Sequence, residues 1–170
     1  MIAALHFPRF ANFLQERHRA MIKMSGTVGS VLHRKGSEVC FVAPDETVYD
    51  AIEKMADKGV GALLVIAAGK LVGIISERDY ARKVILKGRS SRTTLVNEIM
   101  ASPVISVTSG QAVDECMALM TRSRIRHLPI VENEKVLGVV SLGDLVKWVV
   151  SEQEETIEHL HNYISAKYPT

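Results

Sequence analysis

The sequence has little of what several protein classes require. Its 170 residues include only two cysteines, and the formal net charge is +2. Cys40 and Cys116 lie in apolar runs without a C-x-x-C partner or ligand-spaced histidines, so we expect buried free thiols rather than a disulfide or a metal site. The mild charge disfavours a dedicated nucleic-acid-binding protein. We expect a reducing, cytoplasmic setting.

Long apolar runs are also missing. No stretch approaches the roughly 18 consecutive apolar residues of a membrane span, so we expect no membrane segment. Residues 1–25 are an N-terminal extension in which Pro8 and early basic residues break any signal-peptide core. With Glu16 as its single acid, the extension weakly resembles an organellar presequence. The alternatives are a docking helix or an upstream start codon, with the true start at Met21 or Met24.

Recognisable catalytic motifs are missing too. There is no P-loop, H-E-x-x-H or nucleophile elbow. The run Gly59-Val60-Gly61 could be mistaken for a dinucleotide fingerprint, but it follows a predicted helix and precedes a strand, and Leu64 stands where the last glycine belongs. The histidines form no recognisable ligand set. We therefore expect neither an enzyme nor a metal site nor a catalytic cofactor.

The sequence instead contains one unit of about 60 residues twice. Residues 39–80 align with residues 104–145 without a gap, at a constant offset of 65. So small a unit buries little core alone, so we expect the copies to share an interface about a pseudo-twofold axis, with a functional cleft between them. Recurring pairs include Val39 and Val104, Met55 and Met120, Leu63 and Leu128, Gly73 and Gly138, Ser76 and Ser141, and Asp79 and Asp144.

Each copy has the periodicity of a β-α-β-β-α unit. The predicted strands are 39–42, 62–66 and 71–75 in the first copy and 104–107, 127–131 and 136–140 in the second. The predicted helices are 47–58, 76–88 and 111–122, with another from residue 142. The fold class is therefore α/β, more narrowly α+β, with two repeats packed as one module. We divide the chain at residues 1–25 (extension), 26–88 (repeat 1), 89–93 (polar linker), 94–150 (repeat 2) and 151–170 (C-terminal helical extension).

The last helix is predicted to run past the second repeat, to about Tyr163. Its apolar stripe consists of Leu145, Val149, Ile157, Leu160 and Ile164. We predict that this helix forms a homodimer contact, with Trp148 and Tyr163 supplying anchoring area. Packing on its own module is the alternative.

The two copies close on Gly73-Ile-Ile-Ser76-Glu-Arg-Asp79 and Gly138-Val-Val-Ser141-Leu-Gly-Asp144, with Leu128-Pro129-Ile130-Val131 before the second motif. In this order they resemble a tandem pair of CBS domains over residues 27–150. In detail, Ser76-Glu-Arg-Asp-Tyr-Ala-Arg82 and Arg126-His-Leu-Pro129 resemble the stand-alone bacterial CBS-pair proteins and the related plant organellar ones. The resemblance implies sensing of an adenosine ligand, namely AMP, ATP, NAD or S-adenosylmethionine, without catalysis. It also implies an effector protein as partner.

Both Ser-x-x-Asp motifs fit a capping box at a helix start. Capping is a complete structural explanation, but a helix start that faces a cleft also favours an anion such as phosphate. The resemblance implies that Asp79 and Asp144 accept the ribose hydroxyls and that Ser76 and Ser141 lie near phosphate.

Adenine would be recognised by backbone groups and apolar walls where two strands begin. These walls are Val60, Gly61 and Ala62 in the first copy and Ile125, Arg126 and His127 in the second, with Ile74 and Val139 beneath. Packing in the hydrophobic core is the alternative for the apolar members.

The copies differ at positions that would make the two clefts unequal. Arg78 stands where the second copy has Gly143, and it lies four residues from Arg82 on one helix face, where the two guanidinium groups could clamp phosphate. A solvated basic face that pairs with acids such as Glu77 is the alternative.

The resemblance further implies that ligands bind across the pseudo-twofold axis. The Asp79 cleft would then include Ile125 and Arg126 and prefer a charged nucleotide such as AMP or ATP. The Asp144 cleft would meet Val60 and Gly61 and take a larger ligand such as NAD, or stay empty. Two other functions remain open: a constitutive scaffold with vestigial clefts, and nucleic-acid binding through basic residues of the extension and linker, namely Arg9, Arg17, Arg19, Arg89 and Arg92.

Overall fold

The computed structural model describes residues 26–167, so the predictions for residues 1–25 lie outside the described residues. The helices are α1 Val28–Lys35, α2 Val48–Lys58, α3 Glu77–Lys83, α4 Val96–Ile99, α5 Val113–Ser123 and α6 Leu142–Lys167, and a short 3-10 helix spans Ile85–Lys87. The strands are β1 Phe41–Val42, β2 Ala62–Ala67, β3 Lys70–Ser76, β4 His127–Glu132 and β5 Lys135–Ser141.

The sheets show the internal repeat directly. In the first repeat β1 pairs in parallel with β2, which pairs antiparallel with β3; in the second, β4 pairs antiparallel with β5. The register shifts between Val65 and Ile66 in one hairpin and between Ile130 and Val131 in the other. These positions are related by the sequence offset, so the two repeats agree even in this irregularity.

Some elements differ from the prediction. The strand predicted at 104–107 is reduced to one parallel bridge between Val107 and Ile130. Pro103 has no N–H to donate to a ladder, and Val104 and Ile105 line a cavity instead. The helix predicted at 76–88 ends at Lys83 and is followed by the 3-10 helix. Neither α1 nor α4 was predicted.

The helices α2 and α5 end in the same backbone conformation but on different residue types. Both end on a residue in the left-handed conformation, Gly59 with φ 63° and Arg124 with φ 54°. Glycine adopts this conformation without strain, whereas a residue with a Cβ is destabilised there by roughly 1–2 kcal/mol. Arg124 is therefore held in an unfavourable backbone conformation.

Each repeat has its own hydrophobic core, and each core is completed by the first helix of the other repeat. α4 begins the second repeat, yet Val96 and Ile99 are buried in the core of the first. α1 begins the first repeat, yet Val28, Val31 and Leu32 are buried in the core of the second. The two helices therefore cross between the repeats and tie them together.

Two glycines allow this close packing. A Cβ added to Gly138 would lie 2.9 Å from Leu32 Cδ2 and closer still to Cδ1, and one added to Gly73 would lie 3.0 Å from Met100 Cγ and closer to Sδ. Both glycines belong to the repeated motif. Their recurrence thus reflects the contact that each β-hairpin makes with a crossing helix, through Leu32 within α1 and through Met100 directly after α4.

α6 packs on the second core through part of the predicted apolar stripe. Leu145 is fully buried there, and Trp148 and Val149 pack beside it. These residues therefore follow the alternative prediction, packing on their own module. Val146 and Ile157 remain exposed on the same helix, with 45% and 66% of their surface accessible. The side chains of Leu160 and Ile164 lie outside the described part of the chain.

The prediction of free thiols is confirmed. Cys116 is completely buried in the second core, and burial raises its pKa to about 11. It is therefore an unreactive thiol at neutral pH. Cys40 is only partly buried, at the edge of the first core.

Candidate functional site

A cavity of about 370 Å³ lies between the two repeats, and we call it the Asp79 cavity. The first repeat contributes the end of β3 and the start of α3, and the second contributes the segments 101–105 and 124–127. The lining residues are Gly61, Ile74, Ser76, Glu77, Arg78, Asp79, Arg82, Lys83, Ala101, Pro103, Val104, Ile105, Arg124, Ile125, Arg126 and His127. Predicted site residues that are far apart in the sequence, such as Asp79 and Ile125, thus line one cavity between the repeats.

The repeated serine and aspartate form the expected capping box at the edge of this cavity. The Ser76 hydroxyl and backbone N–H donate to Asp79 Oδ2 at 2.6 and 3.1 Å, and the Asp79 N–H donates to Ser76 Oγ at 3.3 Å. Lys83 Nζ lies 2.9 Å from the other carboxylate oxygen, Oδ1. The carboxylate is therefore fixed in direction, and the oxygen that the cap leaves available is covered by Lys83, whose Nζ also donates to the carbonyl of Ile99 at 2.5 Å.

Five cationic side chains line the Asp79 cavity: Arg78, Arg82, Lys83, Arg124 and Arg126. We call them the five cations. The acids in the same wall are Glu77 and Asp79. Cations outnumber acids, so the cavity favours an anionic ligand.

The arginines differ in how they are held. The Arg78 guanidinium donates to the carbonyl of Arg124 at 2.9 Å, so it joins α3 of the first repeat to the end of α5 in the second. Neither Arg82 nor Arg126 forms an ion pair among the described residues. The alternative, in which Arg78 and Arg82 pair with acids such as Glu77, therefore has no ion pair to support it in the described chain.

The apolar wall of the cavity includes Ile74 and Ile125. Ile74 exchanges backbone hydrogen bonds with Ala101, with N···O distances of 3.1 and 2.8 Å, and this pairing holds the segment 101–105 against the cavity. His127 lies between the repeats, with its ring 3.7 Å from where a Cβ on Gly61 would stand. Burial, and then the nearby Lys35 ammonium, lower the pKa of His127, so its neutral form is favoured.

Three of the predicted wall residues do not line this cavity. Val60 packs against the first core, as the alternative prediction had it. Ala62 pairs with Ser76 in the β2–β3 ladder. The carbonyl of Val139 accepts a hydrogen bond from Lys35 on the other side of the module.

The second cleft, around Asp144, differs from the first. Asp144 Oδ2 accepts from the Ser141 N–H at 2.7 Å and from the Ser141 hydroxyl at 2.8 Å, which is the same capping box. Lys35 Nζ lies 2.7 Å from the same oxygen. Burial tends to raise the pKa of Asp144, but the Lys35 ammonium and the Ser141 donors outweigh it and hold that pKa below its usual value.

The space beside Asp144 is a cavity of about 350 Å³ lined by Val31, Arg34, Lys35, Asp144, Lys147, Trp148 and Ser151. Neither Val60 nor Gly61, which were expected to face Asp144, lines this cavity. The last turn of α1, which the sequence analysis did not predict, stands at this cleft, and Gly61 lines the Asp79 cavity.

Several lining residues were not predicted as site residues, chiefly Lys83, Arg124 and the segment 101–105. Arg124 left a signal in the sequence, because the repeat alignment sets an arginine opposite Gly59 at the end of a helix. The segment 101–105 left none, since its apolar residues are equally typical of the strand that was predicted there.

Within residues 26–167, no group of three or more histidine, cysteine, aspartate or glutamate side chains is placed to hold a metal ion. No helix in that part of the chain is long and apolar enough to cross a membrane.

The CBS domain family model matches residues 28–85 and 96–151. The CBS domain-containing protein CBSX3, mitochondrial, of Arabidopsis thaliana is 42% identical over 153 residues, which are 85% of this chain and 74% of the plant protein. The solved structure of a proposed signal-transduction protein with CBS domains from Burkholderia ambifaria has a TM-score of 0.73 and 49% identity, over 75% of this chain and 96% of that one.

A hexameric CBS-CP12 protein from bloom-forming cyanobacteria is similar in structure, with a TM-score of 0.67 and 25% identity over 85% of this chain and 90% of that one. The family model covers both copies of the repeat, and the structural similarity extends over their arrangement as a pair. This chain belongs to the CBS domain family and contains two CBS domains in tandem.

Proposed function

We propose that the protein is a regulatory module that binds an adenine nucleotide, AMP or ATP, in the Asp79 cavity and acts on a partner protein without catalysing a reaction. NAD and S-adenosylmethionine are further candidate ligands. The observation that carries the proposal is the meeting of the five cations with a fixed carboxylate in one cavity between the repeats. CBS-domain proteins are generally regulatory, and the Burkholderia relative is described in terms of signal transduction.

The size and charge of the cavity suit a nucleotide. Its volume of about 370 Å³ falls within the roughly 300–1,000 Å³ of small-molecule sites. Guanidinium groups bind phosphate oxygens in pairs of parallel hydrogen bonds, and Arg82 and Arg126 have no competing ion pair among the described residues. We assign the phosphate end of the ligand to these two arginines and to Arg78.

Asp79 supports binding of the ribose. The capping box occupies Oδ2, while Oδ1 is held only by Lys83 from the next turn of the same short helix. Lys83 Nζ also donates to the carbonyl of Ile99, so it can release Oδ1 to a ribose hydroxyl while it keeps that second acceptor. The apolar surface of Ile74 and Ile125 provides a wall for the base.

The contact between Arg78 and the Arg124 carbonyl suggests how binding is transmitted. This hydrogen bond crosses from one repeat to the other at the cavity wall. A phosphate that recruits Arg78 competes with the carbonyl of Arg124, so the bound and free states differ in the contact between repeats. A ligand shifts a conformational equilibrium only through such a difference.

The test is calorimetric titration of AMP, ATP, NAD and S-adenosylmethionine into the protein and two variants. Asp79→Ala removes the carboxylate of the cavity, and we expect its nucleotide affinity to fall by about tenfold or more because a charged hydrogen-bond acceptor is lost. Asp50→Ala is the matched control, since Asp50 forms the same capping box with Thr47 at the start of α2, outside the cavity.

Equal binding by the Asp79→Ala and Asp50→Ala variants would contradict the assignment of the ribose to Asp79. Failure of all four compounds to bind the unaltered protein would leave the constitutive scaffold as the better function. The nucleic-acid alternative has weak support in the described linker, because Arg89 is paired with Glu98 and Arg92 stacks on Tyr49, with its guanidinium carbon 4.0 Å from the ring centroid.

We also propose a homodimer and a cytoplasmic location. The exposed apolar face of α6 supports self-association, and the hexameric cyanobacterial relative shows that a similar module assembles with copies of itself. The two free thiols suit a reducing compartment. The Arabidopsis relative is named as mitochondrial, which makes the mitochondrion the competing location.

A further inference from the structure

A lysine from α1 stands in the second cleft. Lys35 Nζ donates to Asp144 Oδ2 at 2.7 Å and to the carbonyl of Val139 at 3.2 Å. Asp144 and Val139 are the counterparts of Asp79 and Ile74 in the repeat alignment. One ammonium group thus bridges the carboxylate and the strand carbonyl that correspond to two walls of the Asp79 cavity.

The first cleft has a different group at the corresponding carbonyl. The carbonyl of Ile74 accepts from the backbone N–H of Ala101, and this pairing brings the segment 101–105 into the cavity wall. In the second cleft the Lys35 ammonium takes the place of that N–H. Residues 36–40, which follow α1 as 101–105 follow α4, are not among the residues that line the cavity beside Asp144.

The sequence explains this difference through a shift in the repeat offset. Leu32 covers Gly138 as Met100 covers Gly73, which aligns α1 with α4 at an offset of 68, whereas the rest of the repeat has an offset of 65. Three additional residues therefore lie between α1 and β1. α1 continues to Lys35, while α4 ends at Ile99.

The two lysine contacts with the aspartates are not equivalent, although each lysine also donates to a backbone carbonyl, Lys83 to Ile99 and Lys35 to Val139. Lys83 lies on the same helix as Asp79, four residues away, and approaches the oxygen opposite the cap. Lys35 comes from another element and approaches Asp144 Oδ2, the oxygen that the cap itself uses. Its second acceptor, Val139, is the counterpart of Ile74, so the Lys35 ammonium stays at the strand carbonyl that pairs with Ala101 in the first cleft. Charge-assisted hydrogen bonds of this kind are about twice as strong as neutral ones.

We propose that Lys35 is an internal ligand that closes the second cleft and thereby sets the binding stoichiometry at one nucleotide per chain, in the Asp79 cavity. This inference rests on the proposed nucleotide function of that cavity. Removal of the ammonium opens the Asp144 cleft to a second nucleotide.

The experiment counts ATP and AMP sites by calorimetry in the full chain and in Lys35→Met, which keeps the length of the side chain and removes its charge. We expect one site in the unaltered protein and two in Lys35→Met, with the added site abolished by Asp144→Ala. Arg34→Met is the matched control, because this substitution also removes one positive charge from the lining of the same cavity. Arg34 pairs with Glu155 rather than with Asp144. It should keep one site.

The outcomes separate this inference from the proposed function. An unaltered protein that binds no nucleotide would refute the proposed function alone, and a site that appears in Lys35→Met and depends on Asp144 would still support the closure by Lys35. Two sites in the unaltered protein, or no added site in Lys35→Met, would overturn the closure. Weaker total binding in Lys35→Met would overturn it too, since Lys35 would then contact the nucleotide. Lys35→Gln repeats the count if Lys35→Met does not fold.

Discussion

Arg124 combines an unfavourable backbone with a position in the candidate site. Its φ of 54° is the conformation that Gly59 adopts at the end of α2, its carbonyl holds Arg78, and its side chain lines the Asp79 cavity. Strain of this kind persists where the surroundings enforce it, and it occurs often at functional positions. We therefore interpret Arg124 as retained for its guanidinium rather than for stability.

Replacing Arg124 by glycine should separate these two effects. Relief of strain of about 1–2 kcal/mol is partly offset by the larger entropy of an unfolded glycine, about 0.4–1 kcal/mol. We expect Arg124→Gly to raise the free energy of unfolding by about 0.5–1 kcal/mol and to weaken ATP binding, as measured by urea denaturation and calorimetry.

Gly59→Arg is the reciprocal control at the equivalent position, where an added Cβ meets nothing within 4 Å. It should lower stability by about 1 kcal/mol and leave ATP binding unchanged, since Gly59 does not line the cavity. A loss of stability in Arg124→Gly would show that other contacts of the arginine outweigh the backbone strain.

The crossing helices α1 and α4 pack against the β-hairpins so closely that a Cβ added at Gly138 or Gly73 would overlap a neighbouring side chain. At Gly138 a Cβ would overlap Leu32, and Leu32 is itself buried, with only 7% of its surface exposed. Overpacking of a well-filled core is unfavourable by typically 1–3 kcal/mol. The fit of one hairpin to one helix end should therefore be measurable as an energetic coupling.

We expect Gly138→Ala to lower the free energy of unfolding by about 1–3 kcal/mol. In a Leu32→Ala background the same change should have a much smaller effect, because the overlapping atoms are gone. Gly110→Ala is the control, since a Cβ there meets nothing within 4 Å. Urea denaturation of the single and double variants gives the coupling, and strictly additive effects would mean that Leu32 does not cover Gly138 in solution.

Much of the arrangement within each repeat could be predicted from the sequence, because α2 and the β2–β3 hairpin are specified by local periodicity and turn residues. The prediction missed α1 and α4 for a physical reason. α4 has only four residues, and both helices are stabilised by contacts with the other repeat, which no local pattern reveals.

The candidate site could be predicted in part. Ser76, Asp79, Arg78 and Arg82 lie together because they share one helix start, and the repeat alignment indicated Ile125 to His127. Lys83 and Arg124 were missed although they lie on predicted helices or at their ends, whereas Ala101 and Lys35 reach the clefts through unpredicted elements. Ala101 follows α4 and Lys35 ends α1, so the difference between the two clefts could not be read correctly until those helices were known.

The exposed face of α6 is the surface most suited to self-association in the described chain. Val146, Val150 and Ile157 are spaced by four and seven residues, so they lie on one side of the helix, and 45%, 48% and 66% of their surfaces are exposed. This face continues from the folded module along the C-terminal extension. It supports a dimer in which two copies of α6 pack together.

We expect the purified protein to be dimeric at micromolar concentration and Val150→Glu to shift it toward the monomer, because two carboxylates would have to be desolvated in the interface. Light scattering coupled to gel filtration measures the mass directly. His159→Glu introduces the same charge at an exposed position on the opposite side of α6 and should remain dimeric. A monomeric unaltered protein would refute the assignment.

The crossing of α1 and α4 also determines what half of this chain could do. Cut at the linker, each half would keep a helix that fits the sister core and would lack the helix that fits its own. An isolated half could complete its core only with the crossing helix of the other half. Covalent joining of the two halves turns an association that depends on protein concentration into an intramolecular contact with a high effective concentration. The linker therefore makes the closed pair independent of dilution.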